Sequence, residues 1–310
     1  MGVKPLPTPD SCSTFAGPGR YERRATMSPL SSETAARDSI LRLAKKLPTS
    51  PHIFGRLGRL LNDMNSDLTD IVKLVAVDSG LTGRVIRLSN SVFFRGEQPV
   101  KSLDEAINRV GFREMHRIVG VAMSEQIFQG GLPVYNLSAE GLWENSVLTA
   151  LSMERLAKIA GEDESEAYTV GLLRGIGKLV LDMLIQVEHP GISCPDTDTV
   201  DLPKWERAWA AVTSNEAGSM ILQEWKMPDS VVIGVRDHYR PTETTPRLGA
   251  LLHVACCITH QLGKGVRAET RQWEMTPEVL ALAGLHPQHV ETCVAETQEA
   301  LSELKSRLKS

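Results

Sequence analysis

The sequence predicts an all-α fold, a two-lobed helical bundle, and three observations predict it. From Ser31 onward apolar residues recur at three- and four-residue spacing, the period that lays one apolar stripe along a helix. Capping residues bracket these runs, with polar residues before them and Gly or Pro after. Sustained apolar–polar alternation between hairpin turns, which a half-buried strand needs, is absent.

In chain order, residues 1–30 are rich in Pro, Gly, Ser and Thr, cluster Arg20, Arg23 and Arg24, and show no periodicity, which predicts a flexible tail. SSETAARDSILRLAKKL is the first helix: Glu33 near its start and Lys45 and Lys46 near its end complement the helix dipole, and Pro48 stops it. In SDLTDIVKLVAVDSG, Leu68, Ile71, Val72 and Val75 fall at i, i+3, i+4 and i+7, an amphipathic helix ending near Gly80. SLDEAINRVG pairs Ser102 with Glu105 in a capping-box pattern and sets Gly111 at the C-cap. FREMHRIVGVAMSEQIF continues at once as a further helix.

GGLPVYN, around residues 130–136, is the clearest interruption. It divides an N-terminal helical lobe over 31–130 from a second lobe over 136–265. Helices are predicted in that second lobe over 139–160, 165–186, 202–226, 229–238 and 246–262, with SCPDTDTVDLP as a polar loop. Residues 266–310 form a C-terminal helical extension, in which TPEVLALAG and PQHVETCVAETQEALSELKSRLKS each carry Pro near the first turn.

Hydrophobic residues make up 42% and charged residues 23% of the 310, a globular balance rather than a disordered one. A net charge of −4 supplies no global basic field, which argues against nucleic-acid and anionic-membrane partners, since such binding begins with phosphate neutralisation. Arg84, Arg87, Arg95, Lys101, Arg109, Arg113 and Arg117 are concentrated in the first lobe. They form either a basic face for an anionic partner or ordinary solvated helix charges. Cys12, Cys194, Cys256, Cys257 and Cys293 contain no CxxC pair and predict reduced, mostly buried thiols in a cytoplasmic protein. No apolar run approaches the ~20 residues that span a bilayer. MGVKPLPTPDSC lacks the apolar core of a signal peptide, and Pro5 and Leu6 fit myristoylation at Gly2 poorly.

The Gly-rich run GLLRGIGKLVL, Gly171 to Leu181, invites a phosphate-loop reading, but Leu172 and Leu179 occupy required positions and no strand precedes it. Its small residues instead predict close helix packing. His253 and His260 share a helix face with no carboxylate three or four residues away, and His286 and His289 read as capping residues at a helix start. His52, His116 and His189 stand alone. No Gly-x-Ser-x-Gly elbow exists and nothing links Cys194 to a base, so no nucleophilic triad is expected. Trp143, Trp205, Trp209 and Trp225 read as core anchors, with Trp205 and Trp209 on one helix face.

An ordered set of segments carries a family resemblance. The first is LPTSPHIFGRLGRLLNDMNSDLTDIVKLVAVDSGLTGRVIRLSNSVFF, with Asn90 and Ser91 at its turn. VKSLDEAINRVGFREMHRIV, LWENSVLTALSMERLA, AYTVGLLRGIGKLVLDML and EAGSMILQEWKMPDSVVIGVRDHYRP follow. Over about residues 33–265 the chain resembles the HDOD (HD-related output domain) family of bacterial regulatory proteins. The resemblance implies that the second lobe is a degenerate HD-like helical domain. Catalytic HD enzymes bind metals through histidines and a His-Asp pair, and activate a water toward phosphate esters.

At the matching positions this chain has Asn145, Arg174, Gly175, Ser214, and the pair His238-Tyr239, so one imidazole of the set remains. The resemblance therefore implies no catalytic residue, no metal and no cofactor. Arg174 brings a fixed charge that either holds an acidic group or phosphate of a partner in the old pocket, or forms an intramolecular salt bridge. The implied function is a non-catalytic signalling module that recognises a protein through the groove between the lobes or through the exposed last helix. The alternatives are a nucleotide or cyclic-dinucleotide sensor and a residual metal-dependent phosphohydrolase.

Overall fold

The computed structural model describes residues 33–47, 53, 56, 57, 60, 68–90 and 99–309. The expected tail over 1–30, with Cys12, lies outside them, as do His52, Ser91 and Arg95.

The helices are α1 Glu33–Ala44, α2 Leu68–Ala76, α3 Ser79–Ser89, α4 Leu103–Val110, α5 Phe112–Ile127, α6 Ala139–Ala160, α7 Glu164–Leu173 and α8 Ile176–Glu188. They continue as α9 Leu202–Ala210, α10 Ser214–Glu224, α11 Asp229–Asp237, α12 Arg247–Gln261, α13 Pro277–Ala283 and α14 Pro287–Lys309, with short 3-10 turns at Pro133–Tyr135 and Arg267–Gln272. Extended pairing among the described residues is limited to one bridge, Leu132 with Leu137. The fold is all-α.

Local chemistry sets the element ends. The Ser102 side chain accepts the Glu105 N–H at 3.2 Å, and the Glu105 carboxylate reaches back to the Lys101 N–H at 2.7 Å, one residue before the position a capping box would use. Gly111, at φ 83°, turns the chain from α4 into α5, a conformation that suits a residue without Cβ. Asn90 fixes the end of α3 across the chain: its amide donates to the Val100 carbonyl at 2.8 Å and accepts the Val100 N–H at 2.7 Å.

Two predicted helices are each divided. The run 165–186 breaks at Arg174-Gly175 into α7 and α8. The break lets two glycines meet different neighbours: a methyl on Gly171 would lie 2.6 Å from Ala150 Cα of α6, and one on Gly177 would overlap the Ser214 carbonyl at the start of α10. The run 202–226 breaks because Ala211 adopts the left-handed region at φ 62°, after which Glu216 accepts the Thr213 N–H at 2.9 Å and opens α10.

Helices α2–α5 pack on one another as the N-terminal lobe, which meets the second lobe where α5 lies on α6 and α7. Helix α1, expected in the first lobe, instead packs on α8 and α10 of the second. Its buried Ala36, Ile40 and Ala44, at i, i+4 and i+8, form the stripe that seats it. At the centre, α6 is covered by α5, α7, α12 and α14 and is buried almost all round from Leu142 to Ala157. In the C-terminal extension α13 packs on α12, while α14 lies along α6 and buries Cys293, Thr297 and Leu301.

Candidate functional site

The α7–α8 turn, the first turns of α8 and α10, the end of α11 and one face of α6 converge on a single interior point. Five of the six positions singled out from the sequence meet there: Asn145 on α6, Arg174 in the turn, Ser214 opening α10, and His238 and Tyr239 at the end of α11. Gly175 is buried in the turn, where an added Cβ would lie 3.8 Å from the Leu142 and Ser146 side chains of α6.

The centre of the cluster is a carboxylate that the sequence reading did not single out. Glu269, from the 3-10 turn of the extension, is fully buried and accepts both guanidinium nitrogens of Arg174, at 2.9 and 3.1 Å. It also faces the Lys178 ammonium at 2.5 Å and accepts the Tyr239 hydroxyl at 2.7 Å. Arg174 makes a third bond, to Asn145 Oδ1 at 3.2 Å, and its guanidinium lies 5.4 Å from the Trp273 ring centre. Lys178 completes its donors on the Tyr239 oxygen at 2.7 Å and Ser214 Oγ at 3.1 Å. A second carboxylate, Glu206 of α9, closes the other side. It accepts the Tyr135 hydroxyl at 2.9 Å and the Ser214 N–H at 2.7 Å.

Burial opposes charge on Glu269, but Arg174 and Lys178 outweigh it and hold the carboxyl well below the usual range. At Glu206 burial wins: Lys178 and the two donors pull down, yet the carboxyl stays above its ordinary value. Burial, with Glu269 alongside, pushes the Tyr239 hydroxyl well up, so it remains a donor. His238 is held neutral by burial and by the Arg174 charge. Its Nδ1 lies 2.7 Å from the Val235 carbonyl, and its Nε2 is enclosed without a hydrogen-bond partner.

The side chains present do not fit a divalent metal. Arg174 and Lys178 offer only N–H donors, the Glu269 oxygens are occupied by those cations and by Tyr239, and one imidazole nitrogen is left. Among the described residues no group of three or more His, Cys, Asp or Glu side chains is placed to hold a metal ion. Arg174 is likewise not open to an anion from outside. It is 5% exposed and its acidic partner is the chain's own Glu269, so the salt bridge replaces the partner contact among the two expectations for this residue.

Faint sequence signals exist for two of the missed residues. Lys178 is the one charge in the apolar run Ile176 to Leu181, and Glu206 sits between Leu202 and Ala210 on a buried i, i+4, i+8 stripe. Glu269 and Trp273 lie beyond the stretch that carries the family resemblance, and nothing in their own neighbourhood marks them.

Elsewhere, three members of the basic concentration of the first lobe are paired with carboxylates. Arg87 meets Glu125 at 3.4 Å, Arg113 meets Glu164, and Arg117 meets Glu154 at 2.7 Å and Glu114 at 3.2 Å. His253 does not act with His260; its ring nitrogens face the carbonyls of His238 and Glu274 at 2.8 and 3.1 Å. His289 Nδ1 accepts the His286 N–H at 3.1 Å at the start of α14. Cys194, Cys256, Cys257 and Cys293 are buried free thiols, and burial pushes Cys256 up to about 12.

Comparison with known proteins places these observations in a family context. The family model for the HDOD domain matches residues 47–241. An uncharacterized protein of Treponema pallidum (strain Nichols) is 24% identical over 220 residues, 66% of this chain and 40% of the relative, so the match spans well under half of that protein. An HDOD domain protein of unknown function from Geobacter sulfurreducens superposes with a TM-score of 0.60 at 19% identity, covering 87% of this chain and 97% of the other. A Marinobacter aquaeolei VT8 protein, for which a signal-transduction role has been suggested, gives 0.65 at 21%, with 88% and 65% covered. A Shewanella amazonensis SB2B protein, for which phosphohydrolase activity has been suggested, gives 0.57 at 22%, with 84% and 93% covered. At these identities the likeness to solved structures shows the fold alone.

Proposed function

The chain belongs to the HDOD family, and on that premise we propose that it is a non-catalytic regulatory module of bacterial signal transduction that works by binding a protein partner. The observation that carries the reading is the bidentate Arg174–Glu269 pair with Lys178 on the same carboxylate. Two cations and their shared counter-ion fill the interior point where the residues that the resemblance matches to HD metal positions converge. Such an ionic cluster holds helices and the extension in one arrangement and supplies neither a nucleophile nor a Lewis acid.

The surface that fits a partner is the groove between the lobes. Leu88, Ile118 and Val121 of the first lobe face Leu151 and Tyr168 of the second, and Leu304 of α14 closes the recess, about 160 Å³ in volume. Glu114, Arg117, Arg155 and Glu303 rim it, an apolar centre with a charged border of the kind protein interfaces use. The groove and the last helix, two separate candidates from the sequence, are one continuous surface here. We infer a cytoplasmic location, in keeping with the four free thiols buried among the described residues.

The test is affinity purification of the full chain from its own host, wild type beside a Glu303→Lys, Leu304→Asp variant with an unchanged circular dichroism spectrum. The expected result is a protein retained by the wild type and lost with the variant. Identical bound sets would overturn the reading.

A further inference from the structure

Outside the buried ionic cluster, α9, the start of α10, the end of α11 and the second 3-10 turn enclose an open basin of about 580 Å³. Tyr239 forms part of its floor, so the basin lies directly over the cluster but does not include Arg174. Its volume falls within the range of small-ligand pockets, and its lining is more polar than the groove between the lobes.

Charge in the basin is not balanced. Arg207, Arg236, Arg240 and Arg271 line it, against Asp201, Glu216 and Asp237. Arg236 is taken by Asp237 at 2.7 and 2.9 Å, and Arg207 by Glu216 at 2.5 Å. Arg271 meets no carboxylate among the described residues; it donates once to the Thr199 carbonyl at 3.2 Å. The exposed Arg240 guanidinium makes no hydrogen bond or ion pair among the described residues. Asp201 caps α9, accepting the Lys204 N–H at 3.3 Å, and keeps its charge at the edge of the basin. Two arginines without acidic partners thus border one concave space, where their donors match phosphate oxygens.

A third group narrows the ligand. Asn215 donates its amide to the Arg236 carbonyl, which leaves its Oδ1 buried in the lining with no donor against it. This acceptor is closed to solvent, so a donor that enters the basin reaches it once the Asn215 side chain shifts. An inorganic anion brings charge and few hydrogens; a sugar phosphate brings both.

We propose that this basin binds a small phosphate ester carrying free hydroxyl or amine hydrogens, of the class of a nucleoside or sugar monophosphate, with Arg240 and Arg271 on the phosphate and Asn215 accepting from the hydroxylated part. The site is separate from the protein groove, so it stands whether or not a protein partner is found.

Calorimetric titration of the full chain with AMP, GMP, ribose 5-phosphate, adenosine and inorganic phosphate tests this. Saturable one-to-one binding is expected for at least one of the three phosphate esters, with adenosine silent and inorganic phosphate weaker. Arg240→Ala with Arg271→Ala should weaken that binding at least tenfold at an unchanged melting temperature, since both side chains are exposed. Asn215→Leu should weaken the ester and leave inorganic phosphate unchanged. Absence of binding by all three esters at millimolar concentration, or equal binding by the double variant, would overturn the proposal. Tighter, steeply salt-dependent binding of a single-stranded oligonucleotide that survives competition by the monophosphates would overturn it in favour of a polyanion surface.

Discussion

Arg174 and Glu269, 95 residues apart in the sequence, form a two-pronged ion pair in which both side chains are buried. Glu269 is the common counter-ion of Arg174 and Lys178, so the members of the cluster are not equivalent. Glu269→Gln removes the charge between two buried cations and is expected to cost about 3–5 kcal/mol of folding stability. Arg174→Met leaves Glu269 with Lys178 and Tyr239 and is expected to cost less, about 1–3 kcal/mol. Urea unfolding of both variants gives the order.

Glycine placement makes a paired prediction. Gly177→Ala would press a methyl into the Ser214 carbonyl and to 2.5 Å from the Gly218 nitrogen, where α8 crosses α10. Backbone on both sides leaves little room to give, so a loss of about 3 kcal/mol is expected, the upper part of the overpacking range. Gly83 of α3 has nothing within 4 Å of an added Cβ. Gly83→Ala is expected to stabilise by about 0.5–1 kcal/mol through helix propensity. Thermal unfolding should show the two shifts with opposite sign.

Stability should also fall as the solution is acidified. Burial lowers the His116 imidazole to about 4, and Thr169 Oγ1 lies 3.3 Å from its Nε2. Below the unfolded value near 6.5 the unfolded chain takes up the proton while the native chain does not. Stability therefore drops between about pH 6.5 and 4, by about 3 kcal/mol for this residue. His238, also depressed, adds to the same slope. Glu269 acts lower still: its contribution is full above the unfolded carboxyl value and is lost as pH falls toward its depressed native one. Denaturant titrations across this pH range should show a shallower slope in His116→Gln, with a remainder from His238.

The last helix is fastened to the second lobe partly by charge. Glu144 of α6 is 3% exposed, meets Lys264 at 2.6 Å, and pairs with Lys305 of α14. Burial opposes its ionisation, and the two lysines more than compensate. Glu144→Ala is expected to raise amide exchange in the second half of α14, while the first half stays protected by the buried Cys293 and Thr297. Exchange mass spectrometry resolves the two halves.

The legible part of this molecule was the local part. Ser102, Gly111 and the GGLPVYN interruption announce element ends because capping and positive φ are properties of a few adjacent residues. The division of 165–186 was hidden because Arg174 and Gly175 interrupt no apolar stripe; the chain bends there to meet α6 and α10, partners that periodicity cannot see. The same holds for α1, whose stripe is readable but whose seat on α8 and α10 is not. In the candidate site, the positions that depart from the family pattern led to Asn145, Arg174, Ser214, His238 and Tyr239. Glu269, which joins two of the charges there, comes from a segment beyond the family match and is fixed only by the tertiary fold.

The Arg174–Lys178–Glu269 cluster is expected to exclude metal chemistry. The direct measurement is metal content of the full chain after incubation with manganese, iron and zinc ions and gel filtration, coupled to hydrolysis assays on a phosphomonoester and a cyclic dinucleotide. The expected result is sub-stoichiometric metal and no turnover above the metal-only blank. Stoichiometric metal with turnover, both lost in His238→Ala, would contradict it.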